Sequence, residues 1–165
     1  MVLRFDEGTL PSYVRVGVIS DTHGLIRPEA VAALEGSELI IHAGDIGAPR
    51  VLERLEGIAR VQAIRGNIDT AAWARQLPET REVRVGSARI WVLHDLHELA
   101  LDPARDGYQA VIAGHSHRPG IEEKDGVLYL NPGSAGPRRF RLPVTVARCE
   151  VHGESIHAEL VELDV

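Results

Sequence analysis

The chain has 165 residues, 44% of them apolar, with a formal net charge of −6 and an isoelectric point near 5.7. That length fits one domain over residues 1–165 with a real core, and the composition excludes a disordered chain. The acidic balance gives no global attraction to nucleic acid or an anionic membrane. No apolar run approaches the roughly 18–20 residues of a membrane span, and no basic region followed by an apolar stretch marks a secretory signal. Cys149 is the only cysteine, so an intramolecular disulfide and a thiolate metal cage are both excluded, and a cytoplasmic setting is expected.

Residues 1–13 contain Gly8 and Pro11 and read as a short N-terminal arm or edge segment. From Val14 the chain alternates. Strands are expected at 14–20, 39–43 and 61–65. Helices are expected from Pro28 to Leu34 and from Pro49 to Glu56, each with proline in the first turn, the second stopped by Gly57. Runs such as Val16-Gly17-Val18-Ile19 and Leu39-Ile40-Ile41 are apolar on both faces, as covered parallel strands should be. A short helix or loop spans Thr70 to Gln76. The pattern then turns strand-rich. Gly86-Ser87 separates two runs as a hairpin turn, and Lys124-Asp125-Gly126 and His152-Gly153-Glu154 give two more turn signals. Further strands are expected at 109–113, 119–123, 127–130, 143–150 and 155–163, with helical character from Leu96 to Leu101 or as far as Arg105. The fold class is α/β with added hairpins.

Five apolar runs each end in a side chain able to bind metal. Asp21-Thr22-His23 follows the first run and Gly44-Asp45 the second. Gly66-Asn67 follows the third, His94 the fourth, and Gly114-His115-Ser116-His117 the fifth. Sites in open α/β sheets form beyond the carboxyl ends of strands, so this recurrence points to a metal site along one edge of a sheet. Carboxylate, carboxamide and imidazole together suit a borderline divalent ion. Seven donors exceed what one catalytic ion with an open position needs, and they suit two ions about 3.5–4 Å apart sharing one carboxylate.

In this order, the motifs resemble the calcineurin-like metallophosphoesterase superfamily, and the compact size resembles its small bacterial and archaeal phosphodiesterases. Asn131-Pro132-Gly133-Ser134 extends the likeness. The resemblance implies a four-layer αββα sandwich of two mixed sheets flanked by helices. It implies that Asp21, His23 and His117 hold one ion, that Asn67, His94 and His115 hold a second, and that Asp45 bridges them. Asp45, Asn67 and His94 are accordingly also the catalytic set. The ions implied are Mn²⁺ first, with Fe²⁺, Zn²⁺ or Ni²⁺ as alternatives. The implied activity is hydrolysis of phosphate esters, foremost diesters, by a hydroxide that bridges the ions. The alternatives are a phosphomonoesterase or nucleotide phosphatase, and a weakly catalytic scaffold that binds protein partners.

Two positions depart from the family. Many relatives carry His after the asparagine, and smaller ones often carry Cys; this chain has Ile68, which cannot donate a proton. Asp95 stands where relatives often have glycine and a further His. His97 or an arginine is a candidate substitute. Asp69 is expected to support the site as a hydrogen-bond acceptor. His42, inside a strand, reads as a satisfied core residue, and His152 and His157 as surface or structural. Arg138, Arg139 and Arg141 are either a solvated loop or a phosphate-binding loop at the metal rim. Asp45 could instead cap a helix, and Asn67 could be a turn residue. The expected partner is a small phosphate-ester substrate, with no membrane and no nucleic acid. Hairpin strands near the C-terminus leave an edge for a second copy.

Overall fold

The computed structural model describes residues 12–165. The expected arm at 1–13 lies outside them, apart from Ser12 and Tyr13. Ten strands and two α-helices follow the order β1 (Val14–Ile19), α1 (Pro28–Leu34), β2 (Leu39–His42), α2 (Pro49–Glu56), β3 (Arg60–Ala63), β4 (Thr80–Val85), β5 (Ala88–Leu93), β6 (Ala110–Ile112), β7 (Gly120–Lys124), β8 (Val127–Asn131), β9 (Thr145–His152) and β10 (Ser155–Glu162).

They form two five-stranded sheets, β10-β9-β1-β2-β3 and β4-β5-β6-β8-β7. In the first, β1 and β2 run parallel, as do β2 and β3, while β9 and β10 add antiparallel. In the second, β5, β6 and β8 run parallel, and β4 and β7 join antiparallel through hairpins. Both sheets are therefore mixed. The core between them holds Val16, Val18, Leu39 and Ile41 against Val83, Ile90, Ala110 and Ile112.

Both α-helices cover the outer face of the first sheet. Leu34 of α1 and Val51 and Leu55 of α2 are fully buried against Ile19, Ile40 and Ala63. Helix α1 ends through Gly36, whose φ of +87° suits the left-handed turn. Gly57 does follow α2 but stays right-handed, with φ −66°, and the chain winds on to Ala59. The outer layer over the second sheet is thin. Leu93, Val111, Ala113 and Val127 form a separate cluster there with Trp91, Leu99 and Tyr129. Helix was expected from Leu96 onward; only a 3-10 turn forms at Leu96–Glu98. The Asp95 side chain accepts from the His97 N–H and fixes a short turn, and Pro103 follows before a helix could lengthen.

Helix α1 meets β1 at Gly17. A Cβ there would lie 2.7 Å from Leu34 Cδ2 and 2.8 Å from Ser37 Oγ. Leu34 is fully buried and cannot move aside, so Gly17→Ala should destabilise the fold by about 1–3 kcal/mol. Urea unfolding measures this, and an unchanged midpoint would contradict the close packing.

Candidate metal centre

The expected donors do follow strand ends, but the strands belong to two sheets. Asp21, His23, Asp45 and Asn67 follow β1, β2 and β3 in the first sheet, whereas His94, His115 and His117 follow β5 and β6 in the second. A site along one sheet edge is thus corrected to a site in the seam between two. Sequence periodicity carries no information about which strands share a sheet, because that pairing is long-range.

The loops interlock through backbone bonds. Asp21 N–H donates to the Gly44 carbonyl and His23 N–H to the Asp45 carbonyl, each at 3.0 Å. Gly114 N–H donates to the His94 carbonyl at 2.9 Å. His115 N–H crosses the seam to Asp21 Oδ2 at 3.1 Å. No side chain would fit at Gly44, Gly66 or Gly114, and a Cβ on Gly44 would lie 2.7 Å from His94 Nδ1. A Cβ on Gly66 would overlap Asp45, and one on Gly114 would overlap Ser20. Asp21, His23, Asp45, His115 and His117 all have φ between +48° and +69°. Left-handed backbone at non-glycine residues is strained, and it gathers at functional sites.

These side chains form two groups. Asp21, His23 and His117 converge in one, and Asp45, His94 and His115 in the other, each with ligand atoms mutually within 4.8 Å. Asp45 Oδ2 lies between the groups, 3.7 Å from His23 Nε2 and 3.2 Å from His94 Nε2. Asn67 Oδ1 is 3.2 Å from His115 Nδ1. All seven predicted donors are therefore brought together.

The polar atoms facing inward fit divalent cations. Asp21 Oδ1, His23 Nε2 and His94 Nε2 are buried without a hydrogen-bond partner, and His117 turns Nε2 toward Asp21 Oδ1 at 3.3 Å. Such atoms are costly unless something satisfies them. His94 is the sharpest case. Its Nδ1 sits 2.7 Å from the Ala43 carbonyl and so must donate a proton to it. In the neutral ring this leaves the Nε2 lone pair aimed at Asp45 and Asp21 carboxylate oxygens, 3.2 and 3.7 Å away. Three electron-rich atoms in that arrangement require a proton or a cation between them.

Protonation tendencies follow the same logic. Burial pushes the Asp21 carboxyl up, but the His117 ring, with Nε2 3.3 Å away, the charge on His94 and the hydrogen bond from Ser20 together hold it below the usual carboxylate range. Burial likewise opposes ionisation of Asp45, and is outweighed by His94 and the Ile68 N–H. The His94 imidazole is lowered by burial and raised further by Asp45 and the Ala43 carbonyl, so it holds a proton more readily than usual. His23 faces the same carboxylates but shifts down, because burial dominates there and neither carboxylate approaches within hydrogen-bond distance.

The supporting residues are sharply placed. Asp69 accepts from the N–H groups of Ile46, Gly47 and Gly66 at 2.9–3.0 Å, tying the Asp45 loop to the Asn67 loop. Asn131 donates to the Gly114 carbonyl and Ser116 Oγ, and Ser134 to the Asp21 carbonyl. Arg138 donates to the Leu142 and Val165 carbonyls. Arg139 is exposed, and its charge is the smallest of the influences that lower the His23 imidazole. His97 is almost fully exposed, with Nδ1 3.1 Å from Asp95 Oδ1. Asp95 Oδ2 also lies 3.7 Å from His115 Nε2.

Two supports were not foreseen. Ser20 Oγ donates to Asp21 Oδ2 at 2.7 Å. His42 is a satisfied core residue, as expected, but its bonds hold two of the loops. Its Nδ1 accepts from Gly44 N–H at 3.1 Å, so Nε2–H donates to Thr22 Oγ1 at 3.0 Å, and that hydroxyl donates on to the Ile46 carbonyl. The position of His42 directly before the Gly44-Asp45 turn was the available signal.

Fold and donor set define a metal-binding phosphoesterase architecture. The calcineurin-like phosphoesterase superfamily domain matches residues 14–154, and the chain belongs to that superfamily. A probable metallophosphoesterase of Methanothermobacter thermautotrophicus is 35% identical over 158 residues, covering 88% of this chain and 91% of the relative. A phosphodiesterase of Methanocaldococcus jannaschii is 30% identical, covering 73% and 83% respectively. Vacuolar Protein Sorting 29 of Cryptosporidium parvum shares the fold, with a TM-score of 0.74 at 19% identity over 92% of this chain and 98% of that one. Among the described residues no helix is long and apolar enough to cross a membrane.

His42 gives a pH dependence. Full burial lowers its pKa from 6.5 to about 4, against a smaller opposing pull from Asp21 and Asp69. The unfolded chain therefore binds more protons between those values, so stability is present above pH 6.5 and is lost as pH falls toward 4. At about 1.4 kcal/mol per unit, His42 should contribute about 3 kcal/mol of that loss. Denaturant titrations in chelator should show the fall, and His42→Gln should flatten it. Equal slopes in both proteins would remove His42 as its cause.

Proposed function

We propose that the protein is a dinuclear metal-dependent phosphodiesterase. The observation that carries this reading is Asp45, placed between two donor groups whose inward-facing atoms lack partners. Asp21, His23 and His117 would hold one cation, and Asn67, His94 and His115 the other, with Asp45 shared. Bound divalent ions supply Lewis acidity toward phosphoryl oxygens and make hydroxide available near neutral pH. Oxygen and imidazole donors without thiolate suit Mn²⁺, Fe²⁺, Zn²⁺ or Ni²⁺, and Mn²⁺ is the ion to test first.

The chain's own residues supply the rest. The Ala43 carbonyl fixes the His94 ring so that Nε2 points inward, and Asn131 and Ser134 hold the two loops that carry His115 and Asp21. Arg139, whose charge is felt weakly at His23, is the arginine proposed to meet the phosphate ester. The weak element is Ile68. It is 41% exposed, and its N–H donates to Asp45 Oδ1 at 3.1 Å, so the residue lies beside the centre. It offers no proton to a leaving alkoxide.

With Mn²⁺, bis(p-nitrophenyl) phosphate should be hydrolysed in preference to p-nitrophenyl phosphate. Asp45→Ala should abolish turnover and lower the metal content measured by plasma mass spectrometry; retained turnover would defeat the shared-carboxylate role. Hydrolysis of neither substrate by metal-loaded protein would favour the protein-binding alternative. Ile68→His keeps the backbone bond to Asp45. It should leave metal content unchanged and speed diesters with poor leaving groups by about 10²-fold, the lower end for a general acid. No gain in a steady-state assay with an alkyl diester would show that another group already supplies the proton.

A further inference from the structure

The outer face of the second sheet carries an apolar cavity of about 410 Å³. Its origin is the thin outer layer. Val111 and Tyr129 are cross-strand partners on β6 and β8, facing away from the inter-sheet core. The Leu96–Glu98 turn covers only part of that face, and Leu96 remains 44% exposed along the cavity's side. Val111 and Ala113 form its buried floor, and Leu96, Ile121 and Tyr129 keep surface toward the opening. A void of this size is at the lower end for small-molecule sites, which run to about 300–1,000 Å³ and are mainly apolar.

Two features indicate the occupant. The first is continuity. His115 lines the cavity and also belongs to the Asp45–His94–His115 group. A phosphate ester held at that group therefore has the cavity opening beside it. The second is charge. Asp95 and Glu122 line the opening, and no lysine or arginine among the described residues does so. A second phosphate or a carboxylate would be repelled, whereas an uncharged apolar group would shed water against Leu96, Ile121 and Tyr129. A second recess shares His115 and Asp95 but is lined by Arg65, Asn67, Glu79, Thr80 and Glu98, so a much larger part of its wall is polar. Polarity thus separates the two directions in which an ester substituent could extend.

We propose that this cavity is the subsite for an uncharged, ring-sized apolar substituent of the phosphate ester. The inference rests on the phosphoesterase reading above and narrows its substrate class. Aryl or similarly apolar esters are favoured over those carrying further anionic groups.

Phosphonates test it without turnover. Calorimetry on Mn²⁺-loaded protein should show phenylphosphonate binding roughly tenfold or more tightly than methylphosphonate, as expected for burying much of a ring. Leu96→Glu, at an exposed position, and Tyr129→Ala should each bring the ratio close to one while methylphosphonate binding stays the same. Thermal melts check that both variants fold. Equal binding of the two phosphonates by the wild type, no binding of either, or parallel weakening of both in the variants would overturn the subsite. A preserved phenyl preference in a protein that hydrolyses no phosphate ester would instead sink the enzymatic reading and leave the cavity's preference standing.

Discussion

Two carboxylates govern this structure. Asp21 is fully buried and Asp45 nearly so, and they lie where two sheets meet. Isolated carboxylates in such a place would be strongly destabilising or would take up protons. Here they stay ionised because imidazoles, a serine hydroxyl and backbone N–H groups converge on them. That convergence dictates the rest. Loops from five strands must reach one point, so they must be short and must approach one another closely. The space left for side chains within them is almost nil.

The backbone bears the cost of that crowding. Glycine at positions 44, 66 and 114 removes the Cβ atoms that would strike a neighbouring loop. The residues that follow two of these glycines, Asp45 and His115, take left-handed conformations, as do Asp21, His23 and His117. Each such residue costs of order 1–3 kcal/mol unless its surroundings enforce it. Asp69, Asn131, Ser134 and His42 are the enforcers, each bridging at least two segments with polar groups buried in the seam or beside it. The site is held by polar bonds and the sheets by apolar packing, and the two meet at the carboxyl ends of the strands.

Much of this was legible in the chain. Both-face apolar runs marked β1 and β2, proline marked the start of both helices, and Gly86-Ser87 marked the β4–β5 hairpin. The donors were legible because each follows an apolar run, so strand prediction and site prediction were one inference. Three things were hidden. Sheet membership depends on pairing between distant segments. The span after Leu96 looked helical because its composition is helix-compatible, while the Asp95 side chain and Pro103 decide against it locally. The role of His42 depends on which atoms face its two ring nitrogens, and that exists only in three dimensions. Ile68 was visible as a departure, and its N–H bond to Asp45 shows why the position matters whatever side chain fills it.

The division of donors between two sheets has a consequence for turnover of the protein itself. Any cation held there would clasp Asp21 and Asp45 from one sheet and His94, His115 and His117 from the other, joining segments that touch nowhere else through strand pairing. Ligands that bind only the folded chain shift its folding equilibrium by mass action. The supply of divalent ions would then set how often the sandwich opens at this seam, and so how long a molecule of the protein survives proteolysis. Ion scarcity would remove the protein as well as its activity.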